Sequence, residues 1–322
     1  MEKVEAIVVG GGPCGLAAAI SLQDIGISPV IIEKGNVVEA IYKYPTHQTF
    51  FSTSEKLSIG DVPFIIEGRK PKRNQALVYY REVVILKQLQ VNRFETVERV
   101  EKKQDGFIVY TSKAIYSTEF VIIATGYYDH PNLLGIPGEN IPKVSHYFKE
   151  GHPYFDTDVV VIGGKNSSID AALELNKAGA RVTVVYRGST YSSSIKPWIL
   201  PEFDGLVKSG DITMMFDSQV EEITSHEVKI RNQTKSFSIK NDFVFAMIGY
   251  HPDHDFLRDM GVHIDEATGR PLLNEKTMES NIENLYIAGV LAAGNNANEI
   301  FIENGRFHGE LIANDIKHKR VR

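Results

Sequence analysis

The chain has 322 residues, a formal net charge of -6 and 43% hydrophobic residues. That length suits two domains of ordinary size, the apolar content excludes a disordered chain, and the acidic balance argues against a general nucleic-acid footprint. Its single cysteine, Cys14, excludes an internal disulfide and fits a reducing compartment. No apolar run approaches the ~18 residues a membrane helix needs. The first strand pattern, "VEAIVVGG", starts almost at once and leaves no room for a signal peptide. The expectation is a cytoplasmic protein with neither nucleic acid nor membrane as partner. The basic ending "KHKRVR" reads as a short solvated tail.

The first elements read strand, glycine turn, helix, strand. "AIVVG" is a β-branched run fit for a parallel strand buried on both faces. Gly10, Gly12 and Gly15 then form G-x-G-x-x-G, with Pro13 and Cys14 inside it. The first glycine allows a tight turn, the second a close approach of backbone to a pyrophosphate, and the third close packing of helix on strand. The helix "CGLAAAISLQDIG" follows, with its positive dipole end toward the phosphates. A second strand ends at Glu33, 23 positions after Gly10, where an acid is expected to bind ribose hydroxyls; Lys34 follows it. An acid there points to FAD.

Residues 91–126 read as short strands with a turn at "KKQDGF", ending in "FVIIATG" at Ala124, Thr125 and Gly126. The Pro- and Gly-rich stretch "YYDHPNLLGIPGENIP" marks a crossing into a second domain.

The dinucleotide pattern recurs over 159–187 in "VVVIGGKNSSIDAALELNKAGARVTVVYR". Its turn holds Gly163, Gly164, Lys165, Asn166, Ser167 and Ser168. Its second strand ends in Arg187, 24 positions after Gly163. An arginine there can accept a 2'-phosphate, which favours NADPH over NADH; an ordinary surface arginine is the other reading. Lys165 stands in place of the middle glycine, which holds the pyrophosphate farther off but offers a positive charge.

"FVFAMIGYHPD" returns the chain to the first domain. The tail "ENLYIAGVLAAGNNANEIFIENGRFHGELIANDI" reads as a strand ending at Gly289, an Asn-rich loop and a helix. The expected fold is α/β with two Rossmann-like dinucleotide-binding domains. An FAD-binding domain (1–128 and 247–322) is interrupted by an NADPH-binding domain (129–246). The close spacing of His251, Asp253 and His254 in "GYHPDHDF" is not a usual ligand frame, so no metal is expected.

This organisation resembles the thioredoxin-reductase-like flavoproteins over the whole chain, on "GGGPCG", the "ATG" at 124–126, "GGKNSS" and "AGVLAAG". The resemblance implies that the helix after the last motif points at the flavin, with backbone amides near Glu299 and Ile300 stabilising charge on the reduced ring. It also implies FAD contacts at Gln48, toward the ring edge, and at Val97, and an NADPH contact at Lys196. Relatives carry Asp after the Ala-Gly; this chain has Val290, so that contact is not carried over.

Thioredoxin reductases also carry a C-x-x-C before the second turn. Here that interval reads "SHYFKEGHPYFDTD", and a dithiol relay is excluded. What remains is chemistry at the flavin or through Cys14. A helix N-terminus lowers a thiol pKa, whereas a neighbouring pyrophosphate raises it. On chemistry alone Cys14 is either a small residue filling space or the reactive thiol.

"YPTHQTFFSTSEKLSIGDVPF", "QALVYYREVV", "HYFKEGHPYF", "SIKPWILP" and "IFIENGRFHGE", with "GGGPCGLAAAI", are similar to the YpdA-type bacillithiol disulfide reductases end to end. That resemblance implies NADPH-dependent, FAD-mediated reduction of the disulfide of bacillithiol, a cysteine-containing glucosamine-malate thiol, with Cys14 as the catalytic cysteine. His47 is then a candidate proton donor to the leaving thiolate. The run "GRKPKR" is either a solvated loop or a partner for malate carboxylates. A homo-oligomer is the expected assembly. Ferredoxin or flavodoxin NADP reductases and flavin monooxygenases share the fold without needing a thiol. A non-catalytic NADPH sensor is the remaining alternative.

Overall fold

The β-branched runs of the sequence become parallel strands covered on both faces, which is why their residues are apolar without alternation. The computed structural model describes residues 1–296 and 298–321, so Arg322, the last residue of the basic ending, lies outside the described residues. The chain divides into two compact units. The first comprises Met1–Tyr42, Gln48–His130 and Tyr250–Arg322; the second comprises Lys43–His47 and Pro131–Gly249.

In the first unit a parallel sheet runs Leu285–Ile287, Phe120–Ile123, Ala6–Val9, Pro29–Glu33, Gln90–Arg93 in spatial order. Every residue of Ala6–Val9, Pro29–Glu33 and Phe120–Ile123 is buried. The helix Pro13–Asp24 is alanine-rich, starts on proline and packs against the helix His308–Val321. That approach is close: a Cβ on Gly309 would stand 2.6 Å from the Ala18 Cα. The other face of the parallel sheet is covered by a second sheet built from Val97–Lys103, Gly106–Thr111, Ile115–Thr118 and the short edge strand Glu2–Lys3. Val100, Phe107, Val109 and Tyr116 from that sheet join Ile7, Val9, Ile32 and Ile123 in one core.

The second unit repeats the plan. Its parallel sheet runs Ile212–Met215, Arg181–Val185, Asp158–Ile162, Phe243–Ala246, Val144–Ser145. Helices Asn166–Lys177 and Leu200–Ser209 cover one face through Ile169, Leu173, Leu175 and Phe203. An antiparallel sheet of Gln219–Ile223, Glu227–Arg231 and Ser236–Lys240 covers the other through Val220, Ile223, Val228 and Ile230. Two Rossmann-like α/β units in one chain result.

Each unit ties its own pair of crossing ends. In the first, the His251 amide donates to the His130 carbonyl at 2.9 Å. In the second, Asn132 donates its backbone amide to the Gly249 carbonyl at 2.9 Å and its side-chain amide to the Ile248 carbonyl at 3.1 Å. The segment Lys43–His47 groups with the second unit, which the strand-and-turn pattern gave no reason to expect. Among the described residues no helix is long and apolar enough to cross a membrane.

Candidate active site

The three glycines of the first turn do three different things. Gly10 has φ +107°, and a Cβ there would come within 2.5 Å of the Ala124 carbonyl oxygen. Only glycine takes that backbone without strain. Gly15 would drive a Cβ into the Gly10 carbonyl oxygen, so this position seats the helix on the strand. A Cβ on Gly12 meets nothing within 4 Å. That open cradle lies at the start of a helix with Pro13 in its first turn, no side-chain cap and no acid in that turn. Unsatisfied amides, a positive dipole end and open space fit a pyrophosphate. The residues present therefore suit a dinucleotide.

Glu33 is 7% exposed and already employed. Its two carboxylate oxygens accept from the Gly11 and Gly35 amides, each at 2.7 Å. Burial pushes its pKa up, and those two hydrogen bonds pull it back. Glu33 thus shapes the turn, and its remaining lone pairs are what a ribose hydroxyl would meet. Lys34 pairs with Asp129 at 3.0 Å. Thr125 is exposed beside Ala124, and Gly126 adopts φ +69°. Gln48 turns its side-chain amide to the Thr49 carbonyl at 2.9 Å and accepts the Arg73 amide on its own carbonyl at 2.8 Å. Val97 packs its side chain against the core, leaving its backbone as the part that could face a ligand.

Gly289 opens a 3-10 turn, Gly289–Ala293, in which Val290 is half-buried. Its amide donates to His308 Nδ1 at 3.1 Å. That makes Nδ1 an acceptor and the ring neutral, and burial holds the His308 pKa below its usual value. The following helix begins at Ile302, with Phe301 as its N-cap. The Glu299 amide closes a turn on Asn296 at 3.3 Å, and its carboxylate pairs with Arg270. The Phe301 amide goes to Asn304 Oδ1 at 2.7 Å. Ile300 is half-buried and joins this turn to the N-cap.

Cys14 sits in a niche made by glycines. Cβ atoms built on Gly289 and Gly305 would lie 3.1 and 3.0 Å from its Sγ. Two further contributions to the thiol come from the fold. Burial first, and the Glu303 carboxylate second, push the Cys14 thiol up to about 12. Glu303 is itself held by the Ser52 hydroxyl, which donates to it at 2.6 Å. At neutral pH Cys14 is a neutral thiol, despite the helix end beneath it. Replacing Glu303 by Gln removes the second cause. Alkylation of Cys14 by iodoacetamide between pH 8 and 10 should then speed up roughly threefold, the effect of about half a pKa unit on the thiolate fraction. An unchanged or slower rate would show that the carboxylate does not act on the sulfur.

The second turn has the same frame with different chemistry. Gly163 has φ +136°, and a Cβ there would come within 2.5 Å of the Met247 carbonyl oxygen. The Tyr186 ring lies over Gly164 and leaves no room for a side chain. Lys165 caps the helix Asn166–Lys177 from an exposed position, and that helix also lacks a side-chain cap and a first-turn acid. Ser168 takes the third glycine position. It is fully buried, and its hydroxyl is absorbed by the Lys165 carbonyl at 2.7 Å. Asn166 braces the 194–196 loop through the Ser194 carbonyl and Lys196 amide, both at 2.8 Å. Ser167 is exposed beside it. Lys196 is paired with Asp170 at 3.0 Å. Lys165 and Arg187, by contrast, are exposed and have no ion-pair partner among the described residues.

Two expectations change. Arg73, one of the four cations of "GRKPKR", is 6% exposed and donates twice to the Tyr42 carbonyl, at 3.1 and 2.6 Å. It is a structural donor, not a surface partner for carboxylates. His47 belongs to the second unit, where it stands 3.7 Å from Glu174 and packs edge-on to Phe148. Glu303, Ser52 and His308 lie inside stretches that carry the family resemblance, but nothing in the sequence singles them out as site residues.

Residues 7–289 match the family model described as pyridine nucleotide-disulphide oxidoreductase. A curated relative, bacilliredoxin reductase Bdr of Bacillus subtilis (strain 168), is 67% identical over 318 residues, 98% of this chain and 98% of its own. The solved bacillithiol disulfide reductase Bdr (YpdA) from Bacillus cereus superposes with a TM-score of 0.97 at 65% identity, over 99% of this chain and 100% of that one. Thioredoxin reductase of T. acidophilum shares the fold, with a TM-score of 0.80 at 23% identity over all of both chains. The chain is thus an oxidoreductase that uses a flavin and a pyridine nucleotide, and it belongs to the pyridine nucleotide-disulphide oxidoreductase family, among the Bdr (YpdA) reductases.

Proposed function

We propose that the chain reduces bacillithiol disulfide to two molecules of bacillithiol, with FAD held by the first unit and NADPH by the second. The observation that carries this reading is a single cysteine inside the first dinucleotide turn, with no second thiol in the chain. The near-complete likeness to the bacillithiol disulfide reductase of Bacillus cereus supports the substrate. Gly10, Gly12, Pro13 and Gly15 would take the FAD pyrophosphate, with Glu33 toward the ribose and Thr125, Gly126, Gly289 and the Ile300 amide toward the rest. Gly163, Gly164, Lys165 and the Asn166–Ser168 helix start would take the NADPH pyrophosphate, and Arg187 its 2'-phosphate. When bound, these two groups supply the hydride chemistry and the two electrons that a disulfide requires.

Cys14 Sγ attacks one sulfur of the substrate, the S–S bond breaks, one bacillithiol departs as thiolate, and the other stays on Cys14 as a mixed disulfide. Because the thiol is raised to about 12, it must lose its proton as part of this step. Exchange through the thiolate therefore accelerates as pH rises above 7. The curated relative's name gives bacilliredoxin in place of bacillithiol disulfide; that is the second reading, with the same role for Cys14.

The nucleotide assignment has its own test. Arg187→Ala should weaken NADPH about tenfold and leave NADH nearly unchanged in a fluorescence titration, the value of one charged contact to a phosphate. Equal loss for both nucleotides would place Arg187 elsewhere.

A further inference from the structure

Arg187 does not stand alone at the end of its strand. The chain after Arg181–Val185 is pinned to the lead-in of the antiparallel sheet. The Tyr186 amide donates to the Met215 carbonyl at 2.9 Å, the Ser218 amide to the Tyr186 carbonyl at 3.1 Å, and the Asp217 amide to the Gly188 carbonyl at 3.0 Å. Gln219 then pairs across strands with Arg231. The result is an open concavity of about 250 Å³ lined by Arg187, Asp217, Gln219, Arg231, Asn232 and Gln233. Two arginines from different layers of the unit line one space. Asp217 is the only acid of the lining, and one carboxylate cannot neutralise two guanidiniums. Glu221 engages Arg231 through Nε at 3.3 Å and is shared with Lys229 at 3.8 Å. Among the described residues that is the only ion pair of Arg231, so its paired terminal amino groups remain available.

We propose that Arg231 is a second arm for the nucleotide 2'-phosphate, facing Arg187 across this concavity, and that the antiparallel sheet sets the preference for NADPH over NADH. This rests on the reading of the second unit as the NADPH site. A phosphate monoester offers three oxygens, and two planar forks can take them together, whereas a bare 2'-hydroxyl brings no charge to complement the two cations. The same lining includes Gln219 and Gln233 as candidate polar partners for the ribose and adenine edge.

The test is calorimetric titration of the full FAD-loaded chain with adenosine 2',5'-bisphosphate and with 5'-AMP, which differ only in the 2'-phosphate. Wild type should prefer the bisphosphate. Arg231→Ala should weaken the bisphosphate about tenfold and leave 5'-AMP unchanged. Glu221→Gln, which removes the competitor of the phosphate, should tighten the bisphosphate. Arg231 is exposed, Glu221 is half-buried, and Glu221→Gln keeps an acceptor for the Ser236 hydroxyl, so both variants should unfold close to the wild-type temperature. Unchanged bisphosphate affinity in Arg231→Ala, with wild type still discriminating, overturns the role of Arg231 alone. Wild type that does not discriminate overturns the NADPH assignment and this inference with it.

Discussion

Cys14→Ala is expected to retain its yellow flavin, still pass electrons from NADPH to an artificial dye, and lose disulfide-dependent NADPH oxidation by at least about a hundredfold, as removal of a covalent nucleophile does. The substitution is structurally mild. The side chain shrinks by one sulfur in a niche bounded by Gly289 and Gly305, so the dinucleotide turn keeps its backbone. Loss of both activities together would mean that the niche had collapsed, and flavin absorbance in the purified variant separates the two cases. The raised thiol makes a second demand on the same experiment. A neutral ground state implies that wild-type disulfide turnover increases with pH while dye reduction does not, because only the first passes through the thiolate.

The glycines of the first turn give the other large contrast. Gly12 has an ordinary extended backbone, φ -75° and ψ 174°, and open space around its Cβ position. Gly12→Val should fold normally yet emerge without bound flavin, because the valine fills the cradle meant for the pyrophosphate. Gly15→Val should fail differently. Its side chain would collide with the Gly10 carbonyl and reach the Ala124 Cβ at 3.3 Å. Overpacking of that kind costs about 1–3 kcal/mol, or roughly 3–10 °C in Tm. The comparison is made on flavin-free proteins, since a ligand bound to only one variant would itself shift Tm. Equal melting temperatures for the two variants would contradict the division of labour among the glycines.

Both dinucleotide units were legible because their signals are local: a buried strand, glycines at set spacing, a helix and a terminal acid or arginine all lie within about thirty residues. The insertion of one unit into the other was legible for the same reason, through the Pro- and Gly-rich crossing and the returning "FVFAMIGY". What escaped depends on contacts between distant positions. The charge that adds to burial in raising the Cys14 thiol comes from Glu303, 289 positions later. The neutral state of His308 follows from the Gly289 amide. Arg73 looks like one more cation in a basic run, but it begins the helix Arg73–Leu86 and reaches back to Tyr42. Lys165 and Ser168 depart from the glycine pattern in ways the fold absorbs: one cation is exposed at the helix start, and one hydroxyl is satisfied by a carbonyl of its own turn.

The most direct test is anaerobic NADPH oxidation by the FAD-loaded wild-type protein, with bacillithiol disulfide, with oxidised thioredoxin, with ferredoxin, and with no acceptor. Bacillithiol disulfide should accelerate oxidation strongly, consuming one NADPH for each disulfide and releasing two thiols, while the other three conditions stay near background. Acceleration by ferredoxin, or an unchanged rate with bacillithiol disulfide, would contradict the assignment and move the electron acceptor away from low-molecular-weight thiols.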